Sequence, residues 1–159
     1  MKSFTLIELL VVTTITLVFG GLSLAYYNTF NQEQNLKNEA KKLVSAFELA
    51  KKKATSGDLS GLTCNGGFNG YRVNISSGGY SLSLRCGGVS VSPAVFSYSF
   101  PSGSNISIVS GIGSYNFREI NISSTAGTIR VKNSSIAKCI DITISSAGII
   151  TISDNFISC

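Results

Sequence analysis

The chain has 159 residues, four cysteines, no histidine and no tryptophan, and a net charge of +5. That length gives one domain room to bury a core, but not two. The missing histidine removes the commonest general base and metal ligand. A basic balance can point to nucleic acid or anionic lipid, but seven lysines and four glutamates share residues 1–53, which reads more simply as a solvated helix face.

Residues 4–30 open as an apolar run. Between Phe4 and Tyr27 the only ionisable side chain, tyrosine phenols aside, is Glu8. As a helix rising about 1.5 Å per residue, the run is long enough to cross a hydrocarbon layer of about 30 Å. Lys2 precedes it and no Lys or Arg follows until Lys37, so the N-terminus is expected on the cytoplasmic side and the rest of the chain outside. Glu8 is the anomaly. A carboxylate at the centre of a membrane helix costs roughly 2.5–3.5 kcal/mol, less near an end, and normally has a partner. Its own helix supplies none, which points to a partner on another chain. The plainer reading is a signal peptide or single-pass anchor with Glu8 at headgroup level. Gly20-Gly21 interrupts the run and is expected where a helix bends, melts or closely approaches a neighbour.

Residues 31–57 continue as an amphipathic helix. Leu36, Ala40, Leu43, Phe47, Ala50 and Ala54 recur at helical spacing on one face, and Ser56-Gly57-Asp58 is a stop signal. No proline lies between Phe4 and Ser92, so both parts are expected to form one long helix whose second half packs on the C-terminal domain.

Residues 58–159 read as a β-rich head. Alternating runs at 71–75, 80–86, 94–100, 105–109, 115–122, 128–131, 139–144 and 148–152 are separated by turn signals such as Ser77-Gly78-Gly79 and Gly87-Gly88. The fold class is therefore α+β: a long N-terminal helix packed on an antiparallel β-rich domain. Cys64, Cys86, Cys139 and Cys159 lack metal-site or redox spacing. In an exported domain they read as two disulfides. Three pairings exist; the sequence-local ones, Cys64–Cys86 and Cys139–Cys159, are favoured, each worth about 3 kcal/mol on the chain-entropy model.

The stretch Phe4-Thr5-Leu6-Ile7-Glu8-Leu9-Leu10-Val11-Val12, after a short basic leader, resembles the N-terminal motif of type IV pilins and type II secretion pseudopilins. The resemblance implies a leader of residues 1–3 and cleavage between Ser3 and Phe4 by a prepilin peptidase. It also implies methylation of the new amine, and pairing of the Glu8 carboxylate with the Phe4 amine of a neighbouring subunit. The family favours Gly before the cut; Ser3, also small, stands there. The helix end around residues 46–54, the run Phe100-Pro101-Ser102-Gly103 and the closing residues 142–152 resemble the GspH/FimT minor-pseudopilin group.

The expected role is thus a structural pilin or pseudopilin subunit, with other pilin subunits, the peptidase and the membrane as partners. It would sit first in the inner membrane and then in a pilus or pseudopilus. The alternatives are a head that captures DNA, with Arg118, Arg130, Lys132 and Lys138 as candidate phosphate contacts, or a plain membrane-anchored β-domain. No catalytic constellation, phosphate loop, metal ligand set or cofactor site is apparent. The acids of the head, Asp58, Glu119, Asp141 and Asp154, are too scattered to nominate a pair.

Overall fold

The computed structural model describes residues 5–59, 61–91, 93–118 and 125–159. One helix, α1 (Leu6–Ser56), runs for 51 residues, about 75 Å at the usual rise. The Thr5 side chain caps its start by accepting from the Glu8 N–H. Gly57 ends it at φ 63°, and the Gly57 and Asp58 N–H groups close back onto the Ala54 and Lys53 carbonyls. Glycine takes that left-handed position without the Cβ penalty, so the expected stop signal works through its middle residue.

The head comes next, with ten strands among the described residues, all antiparallel. They are β1 (Phe68–Ser76), β2 (Gly79–Cys86), β3 (Val89–Ser90), β4 (Phe96–Ser99), β5 (Ile106–Ser110), β6 (Gly113–Phe117), β7 (Gly127–Asn133), β8 (Lys138–Ile144), β9 (Ile150–Ile152) and β10 (Ile157–Ser158). They form two five-stranded sheets. In the first, the order is β3-β2-β1-β6, with β4 also pairing along β2. In the second it is β10-β8-β7-β5, with β9 also on β8. The short link at Gly111-Ile112 carries the chain from β5 in one sheet to β6 in the other. The run expected at 115–122 is a strand only to Phe117, while residues 119–122 lie outside the described ones. The short strands β3 and β10 fall outside the expected runs; two residues hold too little alternation to register as a pattern.

The second half of α1 packs against strands of both sheets. Leu36, Ala40, Leu43, Phe47, Ala50 and Ala54, the six residues of the expected apolar face, are all fully buried. They join Tyr71, Val73, Leu82, Leu84, Phe117, Ile129, Val131, Ile140 and Ile142 in one core. Phe47 is its pivot: its ring meets Tyr115 edge-on at 5.5 Å and lies 6.1 Å from Phe117. Edge contacts of this kind add to the area that an aromatic ring removes from water.

Both disulfides take the sequence-local pairing, with Cα–Cα distances of 5.4 Å for Cys64–Cys86 and 5.7 Å for Cys139–Cys159. The first ties the segment after the helix to the end of β2. The second holds β10 against β8, where Ile157 pairs with Cys139.

Phe47→Ala is expected to lower the unfolding free energy by about 3–5 kcal/mol, measured by denaturant titration of the detergent-solubilised chain. A loss below about 1 kcal/mol would mean that the helix is not the centre of the core.

Candidate functional site: the helix and its docking to the head

The helix lives in two environments. Every side chain described between residues 6 and 30 is exposed, including Leu6 at 83% and Leu17 at 75%. This stretch is long and apolar enough to cross a membrane, and none of its described side chains is covered by the head. A helix that is apolar all round needs an apolar surrounding. Three of its threonine hydroxyls are satisfied internally: Thr13, Thr14 and Thr16 donate to the helix's own carbonyls at 2.7–3.0 Å. That removes most of the cost of placing threonine in hydrocarbon.

Glu8 stands in the first turn, exposed, and its carboxylate has no partner among the described residues. Thr5-x-x-Glu8 has the spacing of a capping box, and the Thr5 half forms at 3.4 Å. Among the described residues no return bond from the Thr5 N–H to the carboxylate completes it, so the acid remains available. A negative charge near the helix N-terminus is favourable by about 0.3–1 kcal/mol, well short of offsetting burial in lipid. Ser3 and Phe4, the expected processing site, lie outside the described residues. At Gly20 and Gly21 the helix continues without interruption, and a Cβ at either would meet nothing within 4 Å.

Polar contacts fix where the helix enters the head. Gln32 accepts from Asn133 Nδ2 at 2.9 Å, and Glu33 pairs with Lys138. Further along the helix, the carboxylate of Glu39, only 7% exposed, accepts from Lys42 Nζ and from the Tyr98 hydroxyl, both at 2.8 Å. Lys42 also lies 5.2 Å from the Tyr98 ring centre. At the far end Lys51 donates to the Gly148 carbonyl at 3.0 Å, and Lys53 pairs with Asp58. The lysine run expected to be a solvated face therefore splits: Lys51 and Lys53 lock the helix end, while Lys52 is exposed. A buried carboxylate such as Glu39 leaves little room for sliding, because any shift strands it without donors.

The four cations considered for DNA do not converge. Arg118 comes directly after β6 in the first sheet, whereas Arg130, Lys132 and Lys138 belong to the second. Arg130 and Lys132 share the solvent face of β7, while Lys138 pairs with Asn133 on the opposite face, toward the helix. Two of the four are already neutralised. Arg130 grips Asp141 through Nε and Nη2, both at 2.8 Å, and Lys138 holds Glu33. Arg118 instead lies beside Arg72 and Arg85, which no sequence motif marks. Folding the hairpin at Ser77-Gly78 would have found them, because it sets Arg72 against Ser83 and brings Arg85 level with Gly70. Among the described residues no group of His, Cys, Asp or Glu is arranged to hold a metal ion.

The Arg130 hydrogen bonds hold the Asp141 carboxyl below its ordinary value, against the upward pull of partial burial. A carboxyl depressed in the folded state stabilises the fold above its unfolded pKa of about 3.9, and that contribution is lost as pH falls through the folded value. Asp141→Asn is therefore expected to make the acid limb of the stability profile shallower below about pH 4, with little change near neutrality beyond the lost pair. Urea midpoints measured across that range check this, and an unchanged acid limb would show that the pair is not coupled to folding.

Compared with protein families, curated proteins and solved structures, the chain gives no match, so its functional reading rests on its own residues.

Proposed function

We propose that this chain is a structural subunit of pilin type, a minor pilin or pseudopilin, that enters the inner membrane by its helix and then packs helix to helix into a fibre. The observation carrying this reading is the division of α1. One uninterrupted helix is apolar and uncovered over its first half, and built into a disulfide-bonded head over its second. A plain anchor needs only to hold the head at a membrane, and a flexible link would serve. A continuous helix instead transmits the orientation of the head rigidly to whatever surrounds the apolar half, as packing in a regular fibre requires. In this reading the N-terminus faces the cytoplasm and cleavage falls between Ser3 and Phe4. The Glu8 carboxylate, without a partner among the described residues, then meets the Phe4 amine of a neighbour. Gly20 and Gly21, with open space around them, allow close approach of the neighbour's helix. The reading needs no catalytic step and no cofactor.

Glu8→Ala is expected to leave the head folded and the protein in the membrane, but to reduce its recovery in sheared fibres at least about tenfold, the scale set by an unpaired charge in lipid. Mass spectrometry of the N-terminal peptide from native membranes should also show a chain beginning at N-methylated Phe4. Normal fibre recovery of the variant, or a native peptide retaining Met1, would favour a plain anchor instead.

A further inference from the structure

The first sheet turns one face to the helix and the other to solvent. On the solvent face β1 carries Arg72, whose neighbours across the strands are Ser83 and Asn116. Two residues earlier the β1–β2 pairing is irregular between Phe68 and Tyr71, and Gly70 sits there at φ 97°. A Cβ on Gly70 would lie 1.9 Å from the Phe117 carbonyl oxygen and 3.0 Å from the Arg118 Cα. This position can therefore only be glycine, and β6 approaches it closely. Gly70 consequently has Arg85 on one side and Arg118 on the other, with bare backbone between them. Strands lie about 4.8 Å apart and residues two apart on a strand about 7 Å, so three guanidinium groups are gathered around that gap within side-chain reach.

Among the described residues these charges are not compensated as others in the protein are. Lys42, Lys53, Arg130 and Lys138 each have a carboxylate partner. Among the described residues Arg72, Arg85 and Arg118 have none. Arg72 Nε donates to the neutral Asn116 Oδ1 at 2.8 Å, and Arg85 Nη2 to the Gly88 carbonyl. Arg85 Nε is enclosed and has no acceptor among the described residues. Burial, and then the charges of Arg72 and Arg118, pull the Arg85 guanidinium below its ordinary value. Holding three like charges together with only neutral acceptors among the described residues opposes folding, and an anion placed among them relieves it.

We propose that Arg72, Arg85 and Arg118 form a binding site for phosphate groups on the solvent face of the first sheet. The planar fork of arginine suits phosphate oxygens, and three forks spread over β1, β2 and the end of β6 suit several phosphates better than one. The site lies on the face turned away from α1, so it stands whether or not the chain assembles into a fibre. The phosphates can come from a small free polyphosphate or from a phosphodiester chain, and the two sources are separable.

The test is calorimetric titration of the full chain in non-ionic detergent with inorganic pyrophosphate and, separately, with a short oligothymidylate. Pyrophosphate binding that weakens about tenfold in each of R72Q, R85Q and R118Q, and disappears in the triple variant, supports the site and a free-phosphate source. Oligothymidylate binding lost in the same triple variant supports a phosphodiester source. Its affinity should fall with salt at a logarithmic slope of about −2, the value for three contacts to a single strand. Arg130→Gln, on the other sheet, should change neither titration. Far-ultraviolet circular dichroism and a thermal melt confirm that the triple variant is folded. Absence of binding by both probes, or equal binding by the folded triple variant, overturns the proposal.

Discussion

A single helix is apolar and exposed over its first half and amphipathic over its second, and the rest of the structure is arranged around that constraint. Over its first half the backbone bonds are internal and the threonine hydroxyls fold back on helix carbonyls, so hydrocarbon is acceptable on all sides. Over its second half one stripe is buried in the head and the remainder carries lysine and glutamate. Between the two lies the polar seam of Gln32, Glu33 and Glu39, which meets Asn133, Lys138 and Tyr98 at the mouth of the head. Apolar packing alone would tolerate a helix displaced by a turn. The seam does not, because hydrogen bonds have direction and a misplaced Glu39 would be buried without donors.

The head provides what a helix of this kind lacks by itself. Its two sheets present their apolar faces to Phe47 and its neighbours, and the disulfides close the places where sheet pairing is thinnest. Cys139–Cys159 secures a two-residue strand, and Cys64–Cys86 fastens the segment between helix and sheet. A small domain exposes much of its surface, so cross-links of about 3 kcal/mol each are a large part of a total of about 5–15 kcal/mol. The outer face of the first sheet carries Arg72, Arg85 and Arg118, which have no carboxylate partner among the described residues.

Much of this was legible in the chain. The six apolar positions from Leu36 to Ala54 report their burial through spacing alone, since a helix returns to the same face every three to four residues. Gly57 announces the helix end because few other residues accept a positive φ. The β runs announce themselves by alternation, and the local disulfides by short separation. The four cations Arg118, Arg130, Lys132 and Lys138 mark where such reading stops. They are near one another in the chain, yet Lys138 faces the helix, Arg130 is tied to Asp141, and Arg118 follows a strand of the other sheet. Sequence proximity carries no information on which face or which sheet a residue joins, because the chain passes from the first sheet to the second between β6 and β7.

The sequence by itself determined the periodic and local features: one long helix apolar at one end and amphipathic at the other, an antiparallel β-rich head and a lone acid in the first turn, and it favoured the short-range disulfide pairing among three. Each depends on neighbours within about one turn or one hairpin, where geometry repeats and can be counted. Only the tertiary structure decided which charges are neutralised, that Glu39 is buried against Tyr98, and that Arg72, Arg85 and Arg118 stand together around Gly70. Those facts depend on strand register and on the bulge between Phe68 and Tyr71. A one-residue shift in pairing sends every side chain to the opposite face, and long-range packing, not local pattern, selects the register.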